Sequence, residues 1–264
     1  MEASAAGPAV NKITRFAYAQ ARLQARHGQR PDEQLWRRLR STGDLANYLQ
    51  MARQTVLRPW VMGIDSGGSS DDIEFALRRQ FRLYIDEVAR WLPADWRSAF
   101  QALQTLLDLP ALQHLLSGEG LPAWMPEDPV LRGFASQNVK LRGEAIQASE
   151  AGYLVQAWQR GEPLHDAWYD AWRRRWPGPA RLNAAMERLG RLMLQHIRSV
   201  SADSGPSTAE QRQVLLSKLT TAFRKYSFQP AAAFCHLGLV ALDLEMLRGD
   251  LLRRKLFSES VGTA

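Results

Sequence analysis

One cysteine in 264 residues leaves no partner for an internal disulfide. Cys235 lies in the most apolar stretch of the chain, where a thiol is expected to be buried and inert, as suits a reducing cytoplasm. Histidine is sparse too. His27, His114, His165, His196 and His236 are scattered, none three or four residues from another, so the helical spacing of metal ligands is missing and no metal site is expected. No segment has convincing strand character, and the fold class that remains is all-α. The uncharged run from Ala231 to Leu242 is too short for a bilayer span, contains His236, and meets Asp243, Glu245, Arg248 and Asp250 at once. Met1 to Ala9 has neither the basic start nor the apolar core of a signal peptide. A cytoplasmic protein is expected, with any membrane contact made through partners.

What the chain has is apolar residues at helical spacing and a basic front. Hydrophobic residues make up 45% of it, enough to bury one large core or two smaller ones. Of the net charge of +7, most arises between Met1 and Arg58, where ten basic residues face four acidic ones. Such a face suits an acidic partner surface, a nucleic acid or anionic headgroups, and composition does not choose among them.

The organising segment is Pro230 to Phe257. Leu237, Val240, Ala241, Leu244, Leu247 and Leu251 follow helical spacing, and Phe234, Cys235, Leu239 and Leu242 widen the stripe until the first half is apolar nearly all round. A helix of this kind must be enclosed by others. Pro230 suits its first turn, and Arg253, Arg254 and Lys255 place positive charge at its negative end. Glu245 with Arg248, and Asp250 with Arg253 and Arg254, are spaced to pair along a solvated or partner-facing edge.

Elsewhere the pattern predicts helices from Val10 to His27, from Pro31 through Leu39, and after a cap at Asp44. A flexible break follows at Gly63 to Ser70, and then a long helix opened by a capping box of Asp71 and Glu74. Another helix is expected from Ala94 to Leu107, ended by a turn-rich region from Pro110 to Pro129. Weaker helical signal runs from Val130 to Arg160. His165 to Trp176, Ala180 to Ile197 and Glu210 to Tyr226 complete the set, with a linker at Ser199 to Thr208. The expected organisation is a disordered tail over 1–9, an amino-terminal bundle over 10–109, a middle bundle over 110–200, and carboxy-terminal helices over 201–264 that pack back on the first bundle.

Two constellations invite a chemical reading. The Gly63-Ile64-Asp65-Ser66-Gly67-Gly68 loop has the glycines of a nucleophilic elbow or phosphate cradle, but both need strands that this pattern lacks, so a linker is expected. Trp168, Trp172 and Trp176 stand four residues apart beside Arg173, Arg174 and Arg175. They read either as a core stripe with arginines at its margin or as a base-stacking platform. No nucleophile, base and orienting group come together, and no enzyme and no cofactor are expected.

Two distant stretches carry a family likeness. Phe16-Ala17-Tyr18-Ala19-Gln20-Ala21-Arg22-Leu23-Gln24-Ala25 resembles the opening helix of the C/d-type subunit family of V-type ATPases, and Leu45 to Thr55, with Ile73-Glu74 and Leu77, follows its rhythm. Phe228 to Phe257 resembles the family's closing pattern, with Glu245, the Leu247-Arg248 step and the Lys255-Leu256 finish. The chain is shorter than typical members, and Pro110 to Ser207 shows little correspondence. The resemblance implies a funnel of helical bundles without catalytic activity, seated on the membrane rotor ring and holding the central shaft, with no small-molecule substrate. On that reading Arg22, Arg26, Arg37, Arg38, Glu245 and Arg248 are the candidate partner-binding residues. The alternatives are a stand-alone helical adaptor derived from the family, and a helical nucleic-acid-binding module resting on the basic front and the Trp/Arg stripe.

Overall fold

The structure is a computed structural model that describes residues 8–178, 183–201 and 208–261. Within these residues there are twelve α-helices, two short 3₁₀ turns and no strand, so the chain is all-α. They form two compact units, one over 1–94 with 206–264 and one over 95–205. Of the expected tail, residues 1–7 lie outside the described residues, as do 202–207 of the expected linker and Arg181 and Leu182 with their two predecessors.

The first unit opens with α1 (Pro8–Gly28), α2 (Glu33–Arg40), α3 (Leu45–Arg53), α4 (Arg58–Val61) and α5 (Ser70–Trp91). Each start has a local cause. Asp32 accepts the Leu35 N–H at 2.7 Å and Asp44 accepts the Asn47 N–H at 2.8 Å, each pairing a donor that the first helical turn leaves open. The sequence predicts the capping box of α5 at Asp71 and Glu74; it forms instead between Ser69 and Asp72. The reason is reach: Ser69, not Asp71, has the extended backbone of a cap, and Glu74 is drawn away to Arg248.

The second unit contains α6 (Ala94–Ser117), α7 (Val139–Gln147), α8 (Gly152–Gln159), α9 (Leu164–Arg174) and α10 (Ala184–Ser201). The break expected at Pro110 is absent, because α6 runs straight through it. Pro110 itself is exposed, while Leu109, Leu112 and Leu115 around it are buried, so the packing of the helix carries it through a residue that costs one backbone hydrogen bond. The weak helical signal after Val130 resolves into the pair α7 and α8. The tryptophan stripe of α9 is core. Trp168 and Trp172 are each 1% exposed, their rings stack at 5.3 Å, and their indole N–H groups donate to the carbonyls of Ala102 (3.0 Å) and Ala99 (2.9 Å) in α6. No face of either ring is open to a base.

The chain returns to the first unit with α11 (Thr208–Lys225) and α12 (Pro230–Val261). Phe228, at a φ of 62°, turns the corner between them in the left-handed region, and its N–H donates to the Gln20 side chain of α1 at 3.0 Å. That bond ties the corner to the first helix. α12 packs most extensively on α11, then on α5, α1 and α3, and every residue from Ala231 to Leu237 is buried. By length and composition Pro230–Phe257 could cross a bilayer; here 72% of its most apolar window is buried in the unit. The expectation of a long helix enclosed by others holds, and each fully buried leucine in it contributes roughly 2 kcal/mol.

Of the polar edge expected on α12, Glu245, Arg248 and Arg253 are exposed, while Asp250 and Arg254 are inside. Arg254, 5% exposed, donates to the carbonyls of Leu39, Arg40 and Thr42 at 2.9–3.2 Å and stacks over Tyr48 at 4.3 Å. It closes the carboxy-terminal end of α2, where carbonyls lack helical donors and the dipole favours a cation. Because α12 continues to Val261, Arg253 to Lys255 do not form its last turn.

Close approach also fixes the second unit. A Cβ on Gly190 of α10 would fall on the Tyr169 ring of α9. Gly190→Ala is expected to cost about 1–3 kcal/mol through overpacking, more than the ~1 kcal/mol a helix gains from the exchange. Urea unfolding would measure it, and an unchanged midpoint would contradict this packing.

Candidate functional site

Where α12 meets α1 and α5, its apolar surface is interrupted by two polar contacts. Arg30, just past the end of α1, grips Asp243 with both arms of its guanidinium at 2.7 and 2.9 Å. Their side chains are 15% and 11% exposed, so this is a nearly dry ion pair. Burial pushes the Asp243 carboxyl up from the usual carboxylate range, against the opposing pull of the Arg30 guanidinium. One helical repeat earlier, His236 Nε2 and the Tyr84 hydroxyl of α5 share a hydrogen bond of 2.7 Å. Burial pushes the His236 imidazole down to about 3, helped by positive charge at His27, Arg30 and Arg26, and the ring is neutral. Its Nδ1 has no hydrogen-bond partner, and neither does Nδ1 of His27, whose ring stacks on Phe223 at 4.4 Å.

A cleft of about 340 Å³ opens over this region. Arg30 and Asp243 line it together with Trp60, Tyr84 and Leu83, and Arg26 and Glu87 of the same lining pair at 2.9 Å. The volume is that of a small binding site. Gln29, Arg30, Pro31 and Val56 also line a neighbouring, more open hollow of about 630 Å³, whose lining includes Gln34, Arg38 and Gln54. A lining that mixes charged, aliphatic and aromatic side chains can hold a peptide segment by charge and apolar contact.

The structure divides the six candidate residues. Arg26 lines the cleft and Arg38 the hollow. Arg22 instead lies beside Tyr18 and over the Trp91 ring at 5.5 Å, and Arg37 bonds the Glu33 carbonyl of its own helix at 3.4 Å. The spacing predicts that Glu245 pairs with Arg248; the pairing is between helices, because neighbours bring counter-charges closer. Arg248 binds Glu74 of α5, and Glu245 faces Arg212 of α11 at 3.9 Å. Asp250 does pair with Arg253 and Arg254, at 3.4 and 3.7 Å. Sequence reading missed Arg30, Asp243, Trp60, Tyr84 and Arg90 as parts of one site. The only signal was Asp243, an acid set directly after the apolar run from Ala231 to Leu242.

The glycine loop builds no cradle. The Gly67 N–H is taken by the Asp65 carboxylate at 2.8 Å, and Ser66 is exposed. Among the described residues no group of three or more histidine, cysteine or acidic side chains is placed to hold a metal ion. Burial pushes the Cys235 thiol up to about 12, which keeps it protonated and unreactive.

Two outcomes follow from the polar contacts. Arg30→Met should cost about 3–5 kcal/mol, since it leaves Asp243 buried without its cation, and Arg30→Met with Asp243→Leu should recover most of that; urea unfolding of the cycle measures both. The imidazole of His236 has a folded pKa depressed from 6.5 to about 3. Above 6.5 neither state binds the proton; below it only the unfolded state does, so stability falls as pH drops from 6.5 towards 3, by up to about 1.4 kcal/mol per pH unit. In Tyr84→Phe/His236→Phe this slope should be shallower, and an identical pH dependence would remove His236 as a cause.

Compared with protein-family models, curated proteins and solved structures, the chain matches none.

Proposed function

We propose that this chain is a non-catalytic coupling component of a V-type rotary ATPase, similar to the C/d-type subunits, with a shortened middle region. The observation that supports it is the meeting of the two stretches that carry the resemblance. Phe16–Ala25 lies on α1 and Phe228–Phe257 spans α12, and the two helices pack on each other. They are joined by the bond from Phe228 to Gln20, 208 residues apart, and by the Arg30–Asp243 pair, 213 apart. Two degenerate patterns at opposite ends of a chain gain weight when they fold into one joint. In this reading the bundles take the family's funnel arrangement, bind the rotor ring and the central shaft, and meet the membrane only through those partners. The function is rigid transmission, for which close-packed helices serve because they pass strain on instead of absorbing it.

The nucleic-acid alternative keeps its basic front but loses its stacking platform, since Trp168, Trp172 and Trp176 are buried. A stand-alone adaptor is the second reading, and the same experiment separates it. The tagged protein, recovered from gently solubilised membranes of its native cell, should bring rotor-ring and central-shaft proteins with it in fixed proportion. Recovery without either, from a cell that makes the rotary complex, would end the rotary role and leave the adaptor.

A further inference from the structure

The groove over the Arg30–Asp243 pair has an unbalanced charge pattern. Its acids are engaged within the fold: Asp243 by Arg30, Glu87 by Arg26, and Asp32 by the Leu35 N–H that it caps. Two arginines are not. Arg90 of the cleft lining and Arg38 of the hollow lining are exposed, and among the described residues neither side chain has a carboxylate partner. Val56, which lines both spaces, and Leu83 of the cleft are 44% and 52% exposed. Unpaired cations in linings that also expose aliphatic and aromatic surface call for an occupant of the opposite charge that also carries apolar side chains.

We propose that this groove is a docking site for a short acidic segment with aliphatic side chains, supplied by another polypeptide. Carboxylates of the segment meet Arg38 and Arg90, and its aliphatic side chains rest against Val56, Leu83 and Trp60, a division of charge and apolar contact usual in peptide recognition. A second copy of the chain is a poor occupant, since its net charge is +7. A nucleic acid would satisfy the arginines but leave the aliphatic wall without contacts. The site does not depend on the rotary reading, because no component of a rotary complex enters its test.

That test uses the full chain and a short fluorescein-labelled peptide alternating glutamate and leucine, followed by anisotropy. Saturable binding is expected at low salt. Arg38→Glu/Arg90→Glu should weaken it by about tenfold or more, as reversal of rim charges does, and Val56→Asp/Leu83→Asp should weaken it as well. These positions are exposed, so the variants should keep the parent's unfolding midpoint. Arg132→Glu/Lys140→Glu changes the net charge equally in the other compact unit and should bind like the parent. The proposal is overturned by absence of saturable binding, or by equal loss in both charge-reversed variants. It also falls if labelled oligothymidylate, or vesicles containing anionic lipid, bind as tightly with the same dependence on Arg38 and Arg90.

Discussion

A helix that is apolar on nearly every side stays out of water only if neighbours cover every side, and α12 draws them from both ends of the sequence. α11 reaches it through the corner at Phe228, while α1, α3 and α5 come from the first third of the chain. The first unit therefore cannot close until its last segment is in place. That requirement explains why charged groups sit in so apolar a position. Asp243 and Arg254 each reach across to a segment distant in sequence, one to Arg30 and the other to the end of α2. Apolar contact alone tolerates a helix sliding or turning in its groove; a buried acid that must find one guanidinium does not.

The second unit is held differently. Its anchor is aromatic, with Trp168 and Trp172 stacked and each indole N–H accounted for by an α6 carbonyl. An indole brings a large apolar area and one polar atom whose partner fixes its orientation. The close pass of Gly190 over Tyr169 extends the same device to α10. In the first unit specificity comes from ion pairs bridging remote segments, and in the second from aromatic shape.

Much of the fold was legible because it rests on periodicity and local caps. α1, α3, α9 and α12 announce themselves by spacing, and Asp44 by its place before an apolar run, while the four-residue step of the tryptophan stripe left core and stacking platform both open until burial decided for core. The failures share a physical cause, in that tertiary context overrode a local signal. Pro110 costs its helix one hydrogen bond, and here the buried leucines on either side of it keep the helix whole. Arg248 and Glu245 could have paired with each other along α12, yet Glu74 and Arg212 on adjoining helices offered other partners. The groove was invisible for a stronger reason: Arg30, Val56, Trp60, Leu83 and Asp243 come from four separate segments, and nothing in their spacing brings them together.

The division of charge around that groove separates two demands that a binding surface places on a protein. Charges that hold the fold are buried and paired, and removing one partner leaves the other desolvated at a cost of several kcal/mol. Charges that greet a partner gain by staying exposed, where they steer encounter and can be exchanged without loss of the fold. Arg30 belongs to the first kind, and Arg38 and Arg90 to the second. Arg26 lies between them, half-exposed and paired with Glu87 at 2.9 Å, so an acidic partner would compete with Glu87 for it. Competition of this kind lowers affinity for any single carboxylate, and a segment that offers several, with apolar side chains between, is favoured over an isolated anion.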